Sequence, residues 1–582
     1  MSAPATSAPS FPPCGPSSSW ADSYRWATAS AAPKKGSPAR RSPSASASSS
    51  GRGANRKRRS AASPVLPGPT GVRRLMRSSP LARRLHGDPV DPLAPRLARR
   101  SAKSYRCRPN GGGTMQAIDL VVIGSGPAGQ RAAVQAAKLG KQVVVVERRH
   151  EIGGVCINTG TIPSKTLREA VLDLSGLRQR TLYGDAYRGK AEVTAEDLLL
   201  RAGIIMKRER DVVRAQLQRN RIRIVDGTAR FAGPHQIVIE GGESDLELEP
   251  SFVVIASGST PSIPQGIPVD HERVLTSDDI LSLTTLPREL LVVGAGIIGV
   301  EYATMFAAVG AKVTVVDKRT ELLDMVDREV VNAFAYQASL LGVTLRLGEE
   351  VSRLEAGKDR VVAVLQSGKR LAADMAMISA GRQGATGGLS LERAGLEADA
   401  RGRLLVNQHY QTEVPHIYAV GDVIGFPALA STGMEQGRLA ACHAFGLETH
   451  SVPELLPFGI YAVPEVGWVG ATEADLTRRG VPFETGVARY REIARGQILG
   501  DPDGMLKLVF GTDSRRILGV WALGTQATEL VHIGQAVMAL RGTLDYFVDS
   551  VFNYPTLAEC YKVAALDGHN KLQGLSRAGA AA

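Results

Sequence analysis

The chain has 582 residues, a formal net charge of +13, 62 glycines, 32 prolines and five cysteines, a length that suits three or four domains with several buried cores. No stretch approaches the roughly 18 apolar residues of a membrane-spanning helix, which excludes an integral helical membrane protein. Cysteines 14, 107, 156, 442 and 560 have neither the density of a disulfide framework nor the spacing of a zinc site, so no metal is expected and the setting reads as reducing and cytoplasmic.

The charge is unevenly placed. Residues 1–114 hold 21 Lys/Arg against 3 Asp/Glu, whereas the other 468 residues hold 49 against 54. The body is therefore mildly acidic and no nucleic-acid surface is expected on it. Residues 1–114 are rich in Ser, Ala, Pro and Arg without a sustained apolar period, which reads as a disordered basic extension. Three origins stand for it. One is an Arg- and Ser-rich organelle leader; another is a nucleic-acid tail around Arg56, Lys57, Arg58 and Arg59. The third is sequence upstream of a true start at Met115, because glycine codons at 111–113 can spell a ribosome-binding site.

Structure begins just beyond. Residues 117–124 (AIDLVVIG) read as a strand feeding Gly124-x-Gly126-x-x-Gly129, then an alanine-rich helix over 130–139, a second strand over 142–146 and Glu147. Such glycines allow a tight turn, close approach of a pyrophosphate and close helix–strand packing, while the helix N-terminus presents N–H donors to phosphate. An acid some 20 residues on accepts ribose hydroxyls. The same design returns as a strand over 289–293, Gly294-x-Gly296-x-x-Gly299, a helix from Val300, a strand over 312–316 and Asp317. Two such units imply two dinucleotides side by side, and hydride exchange is the natural chemistry when one is a flavin and the other a nicotinamide.

After Glu147 the chain reads GGVCINTGTIPSK over residues 153–165, with IASG at 255–258, AGR at 380–382 and YAVGD at 418–422. From about residue 119 to 566 the chain resembles the pyridine nucleotide–disulfide oxidoreductases. The resemblance implies an α/β fold: two Rossmann-like dinucleotide-binding domains, for FAD and NAD(P), plus a C-terminal α+β dimerisation domain. It assigns FAD to Gly124, Gly126, Gly129, Glu147, Gly153, Gly154, Cys156, Thr161, Lys165, Gly258 and Asp422, the last on the ribityl chain. It assigns the nicotinamide nucleotide to Gly294, Gly296, Gly299, Asp317, Arg319 and Gly381. Lys165 and Glu301 occupy family positions that pair beside the flavin and are the expected catalytic residues, the alternative being a purely structural ion pair.

Two departures from the family pattern stand out. The redox pair is Cys-x4-Cys, and here position 161 is threonine, so Cys156 has no partner thiol. In the family's His-x4-Glu dyad the histidine is replaced by Tyr554, with Glu559 in the glutamate's place, and an unperturbed tyrosine titrates near ~10. Losing both points to a flavoenzyme that needs hydride transfer alone. The segments VHIGQA at 531–536 and FNYPT at 552–556 add likeness to the disulfide-less members that exchange hydride between NADPH and NAD+ in ping-pong fashion. A lone Cys156 also reads as a small packing side chain, and His532 as a satisfied core or interface histidine. Asp317 favours the 2′-hydroxyl of NAD, whereas Lys318 and Arg319 beside it suit the 2′-phosphate of NADP; both cations also read as solvated surface charges.

The expected division is 1–114 extension, 115–285 and 400–452 FAD domain, 286–399 NAD(P) domain, 453–573 dimerisation domain in a homodimer or larger homo-oligomer, and 574–582 a frayed tail. Two other readings remain open: an NAD(P)H:quinone or dye reductase sharing every motif, and a flavin-binding protein tethered to nucleic acid by its basic tail.

Overall fold

The computed structural model describes residues 116–187, 190, 192–241, 245–449 and 455–581. The readings of residues 1–114 and of Met115 as the start lie outside them. Strand Gln116–Ile123 has alternate residues covered on opposite faces. Leu120 and Val122, with Val143 and Val145 of the neighbouring strand, pack against the small side chains Ala128, Ala132 and Ala136. Val121, Ile123, Val144 and Val146 face Phe231, Leu389 and Leu404 on the other side. A strand covered on both faces belongs inside a parallel sheet. In spatial order the sheet runs Arg223–Asp226, Val143–Glu147, Gln116–Ile123 and Leu246–Ile255, all parallel, and then Gln236–Glu240 and Thr228–Gly233, each antiparallel to its neighbour. Ile417–Ala419 joins it in parallel beside Val253–Ile255 of the long strand, which returns the chain and Asp422 to the first glycine turn.

The second sheet has five parallel strands in the order Val343–Leu347, Lys312–Asp317, Glu289–Val293, Met375–Ile378 and Val274–Thr276. This corrects the expected domain boundaries at both ends. Val274–Thr276 lies before residue 286 yet forms the edge of the second sheet. Leu389, Leu391, Ala394 and Leu396 lie before residue 400 yet pack into the core of the first. A three-residue edge strand is too short to show a period, and here it is framed by turns in which Asp270 and Asp279 accept its N–H groups.

The C-terminal sheet is antiparallel, in the order Phe458–Ile460, Val466–Gly470, Ile517–Leu523, Met505–Gly511 and Phe483–Arg489. Helices Ala527–Ala539 and Glu559–Ala581 cover one face through Leu530, Val531, Tyr561 and Ala564. The second helix runs to Ala581, through most of the expected frayed tail. Among the described residues no helix is long and apolar enough to cross a membrane.

Lys507, on strand Met505–Gly511 of that sheet, is 1% exposed and lies 2.9 Å from Asp327, 3.2 Å from Glu329 and against the Glu473 carboxylate. Asp327 also caps helix Arg328–Leu340 of the second unit by accepting the Glu329 N–H. Removing one member of such a buried set leaves an uncompensated charge, at a cost of about 3–5 kcal/mol. Lys507→Ala is therefore expected to lower the urea midpoint reported by Trp468 and Trp521 fluorescence. An unchanged midpoint would show that the network contributes nothing.

Candidate active site

Both glycine turns are fixed by backbone contact. A Cβ on Gly129 would lie 2.0 Å from the Gly124 carbonyl oxygen, and one on Gly299 1.9 Å from that of Gly294. Only glycine lets the helices Pro127–Lys138 and Ile297–Ala308 sit this close to their strands. Gly124 and Gly294 have φ of +109° and +110°. The middle glycine differs in kind: a Cβ on Gly126 would meet nothing within 4 Å, so no packing within the chain demands a glycine there.

Gly126 lines a cleft of ≈ 1220 Å³, open to solvent, shared with Gly124, Glu147, Gly154, Cys156, Thr161, Gly258 and Asp422. Glu147 is buried, accepting the Ser125 N–H and hydroxyl on Oε2 at 3.1 and 2.6 Å. Ser125 Oγ in turn accepts the Gly153 N–H at 2.8 Å, so the GG segment is pinned to the first glycine turn, and Gly154 lies against Gly126. Asp422 Oδ2 accepts the Ser259 hydroxyl at 2.6 Å, and Ser259 Oγ accepts Arg382 Nε at 2.8 Å. Ser257 Oγ, also in the cleft wall, is buried without a partner among the described residues.

Cys156 and Thr161 line the cleft together, and the threonine side chain acts on the thiol to lower its pKa. Burial pushes the thiol up, and the charge of Asp422 adds to this. Thr161 and the Lys165 charge oppose the shift without cancelling it. Lys165 Nζ lies 2.8 and 2.9 Å from the two carboxylate oxygens of Glu301, with side-chain exposures of 26% and 3%. Glu301 also accepts the Tyr461 N–H at 2.8 Å, and the Tyr461 ring centre lies 5.0 Å from Nζ. One ion pair thus joins helix Thr161–Ser175, the second nucleotide helix and the C-terminal unit.

The second cluster lies apart from the cleft wall. Asp317, at the end of strand Lys312–Asp317, accepts the Ala295 N–H, while Arg319 doubles back onto it. Gly381, with φ +103°, stands where the chain leaves Met375–Ile378 for the short strand Arg382–Gly384. Lys318 turns outward, 72% exposed and 3.8 Å from Glu350.

Several residues here carry no motif of their own. Arg168, 2% exposed, donates Nε to the Ala462 carbonyl at 2.8 Å and pairs with Glu465 at 2.9 Å. Asp278 receives Thr159 and Arg382. Ser125 was legible only as the variable residue between two glycines. Among the described residues, no three His, Cys, Asp or Glu side chains are grouped to hold a metal.

Residues 118–437 match the family pattern described as pyridine nucleotide-disulphide oxidoreductase, and residues 456–565 match its dimerisation domain. The chain belongs to this oxidoreductase family. A Mycobacterium tuberculosis protein called soluble pyridine nucleotide transhydrogenase is 56% identical over 465 residues, covering 80% of this chain and 99% of that one. One of the same name from Enterobacter is 43% identical over 459 residues, covering 78% and 98%. Among solved structures, the HOCl-induced flavoprotein disulfide reductase RclA from Escherichia coli, as its Cu(II) complex, superposes with a TM-score of 0.71 at 27% identity. It covers 78% of this chain and 99% of that one. LpdA from Mycobacterium tuberculosis gives a TM-score of 0.71 at 25% identity, covering 77% and 99%.

This oxidoreductase family implies FAD with NAD(P), and the cleft suits FAD. It offers an open face at Gly126 for phosphate, a buried acid at Glu147 for ribose, Asp422 and the unpartnered Ser257 hydroxyl for further hydroxyls or ring edges. Gly126→Ala should therefore fold normally by circular dichroism yet purify without yellow colour, whereas Gly129→Ala should disturb the helix itself. Equal retention of colour in both would refute the assignment. Because burial raises the Cys156 thiol, its reactive thiolate is depleted below the folded-state pKa and grows only as pH rises through it. Iodoacetamide at pH 8 is expected to label Cys156 more slowly than free cysteine, as read by peptide mass mapping.

Proposed function

We propose that this oxidoreductase passes hydride between NADPH and NAD+, with FAD resident in the cleft beneath the first glycine turn. The observation that carries this reading is that Cys156 shares the cleft with a hydroxyl at Thr161. Both nucleotide units and the Lys165–Glu301 pair are built, while the two sulfurs that thiol substrates require are not. The transhydrogenase names of the relatives point the same way.

FAD, when bound, supplies the capacity to accept hydride from one nicotinamide and return it to another. The chain supplies binding, orientation and charge. In this reading Gly124, Gly126 and the N-terminus of helix Pro127–Lys138 hold the pyrophosphate. Glu147 holds the adenosine ribose, and Asp422, oriented by Ser259, holds the ribityl hydroxyls. The second unit takes each nicotinamide nucleotide in turn, which gives ping-pong kinetics. Lys165 places a fixed positive charge close enough to Cys156 to act on its thiol, and Glu301 fixes that charge so that it needs no reorganisation during transfer.

The C-terminal unit is read as the face of a homodimer. It carries Leu540, Val551 and Tyr554 at 84, 93 and 68% exposure, and a second copy is the occupant assigned to them. The setting is read as cytoplasmic.

The test is an anaerobic assay of the yellow holoenzyme with NADPH and thionicotinamide-NAD+, with quinone and lipoamide in parallel. Reduction of the NAD analogue with parallel double-reciprocal lines and no lipoamide turnover is expected. Rapid quinone reduction without reduction of the analogue would overturn the reaction while leaving the family intact. Lys165→Met should retain FAD and lose about 100-fold or more in kcat; full turnover would make the pair structural.

A further inference from the structure

The two nucleotide units repeat one backbone turn and differ in the side chain that meets the acid, the Ser125 hydroxyl in the first and the Arg319 guanidinium in the second. In the first, Glu147 Oε1 accepts the Arg149 N–H at 3.1 Å and Oε2 accepts from Ser125. Among the described residues the Arg149 side chain makes no ion pair. In the second, Asp317 Oδ1 accepts the Arg319 N–H at 2.8 Å and Oδ2 the Ala295 N–H at 2.6 Å, so the turn is the same. Here, though, the arginine folds back onto its own acid. Arg319 Nε lies 3.1 Å from Oδ1 and Nη2 2.8 Å from Oδ2.

The difference suits what each unit is read to hold. The adenosine of FAD has a free 2′-hydroxyl, for which a bare acid is the right acceptor. The second unit is read to take two nucleotides that differ by a 2′-phosphate. A bare Asp317 would repel that phosphate, and a lone arginine would leave the 2′-hydroxyl without an acceptor. The guanidinium has five N–H donors, and only two nitrogens are committed to Asp317. Nη1 stands 3.9 Å from Asp324, the side chain is 39% exposed, and Nη2 lies 4.0 Å from where a Cβ on Gly296 would point. The fork therefore overhangs the glycine turn with donors to spare and room to swing out.

We infer that Asp317 and Arg319 form a two-position latch by which one pocket accepts both nicotinamide nucleotides. Closed, the pair masks the carboxylate and turns the remaining guanidinium donors to a 2′-phosphate. Open, Arg319 swings into solvent and Asp317 accepts the 2′-hydroxyl. Asp317 keeps its charge in the closed state. Burial alone would raise its pKa, but the Arg319 side chain, the Arg319 N–H and the Ala295 N–H together hold it below the usual carboxylate range. Lys318 takes no part, since it faces Glu350. The latch rests on the reading that the second unit binds both nucleotides.

The test titrates the FAD-loaded enzyme calorimetrically with 2′,5′-ADP and with 5′-AMP, fragments that differ only in the 2′-phosphate. Wild type should bind both. Arg319→Ala should weaken 2′,5′-ADP by about tenfold or more, the loss of a charge-assisted fork. It should leave 5′-AMP unchanged or tighter, because the acid no longer has to be unmasked. Asp317→Ala should do the reverse, weakening 5′-AMP and sparing 2′,5′-ADP. Arg319→Lys, which keeps the charge without the fork, should fall between wild type and Arg319→Ala for 2′,5′-ADP. Equal weakening of both fragments by Arg319→Ala, with FAD retained, would overturn the latch and make the pair a support for the turn. Wild type that binds both fragments yet passes no hydride from NADPH to the NAD analogue would overturn the reaction and support the latch.

Discussion

The carbonyl oxygen of Gly124 occupies the place where a side chain on residue 129 would begin, and that of Gly294 does the same for residue 299. These contacts press each nucleotide helix onto its strand and point its N-terminus over the end of the sheet. The open face at Gly126 and the positions of Glu147 and Asp317 at the ends of adjacent strands follow from that packing. A methyl group in either place would push the helix off the strand and misplace the N–H donors that phosphate needs. The chain builds this constraint twice, and the chemistry proposed for it depends on both copies.

Between the units the ties are charged rather than only apolar. Lys165 and Glu301 join the first unit to the second, Arg168 and Glu465 join the first to the C-terminal unit, and Lys507 and Asp327 join the C-terminal unit to the second. Glu301, Arg168, Glu465, Lys507 and Asp327 are all buried. Buried pairs are weak contributors to net stability, since desolvation offsets most of their attraction. Their geometric demands are strict, however, because each carboxylate must meet its cation within about 3 Å to recover that loss. Three such pairs fix how the units meet, and one of them is the pair proposed to act in hydride transfer. In that proposal the alignment of the nucleotides and the charge that serves them are set by the same contacts.

How much of this was legible follows from range along the chain. The nucleotide units are local: strand, turn, helix, strand and acid fall within Gln116–Glu147 and Glu289–Asp317, and each step has its own signal. The strand Glu289–Val293 and the acids Glu147 and Asp317 fall where the spacing puts them. The edge strand Val274–Thr276 gave no period, and the helix to Ala581 was hidden by a composition that also suits a frayed end. Arg168 and Glu465 lie nearly 300 residues apart, and Lys507 and Asp327 are 180 apart. Nothing in a single sequence pairs a mid-strand lysine with a distant helix cap. Arg319 was legible as a cation near the ribose; its fold back onto Asp317 is a property of the turn.

The fate of the sulfur chemistry separates this chain from disulfide-using relatives. A nucleophilic thiol needs its pKa lowered by a nearby cation or base. Around Cys156 the dominant influence is burial, which acts the other way, and Asp422 reinforces it. By the family resemblance, Thr161 stands in place of a second sulfur and Tyr554 in place of a histidine base. Lys165 and Glu301 require none of these groups, and they keep a bidentate geometry with the carboxylate almost fully excluded from solvent. The parts of the site proposed to serve charge and alignment are intact, while those that thiol exchange would need are absent or suppressed. That division is what hydride exchange between two nucleotides demands of a protein.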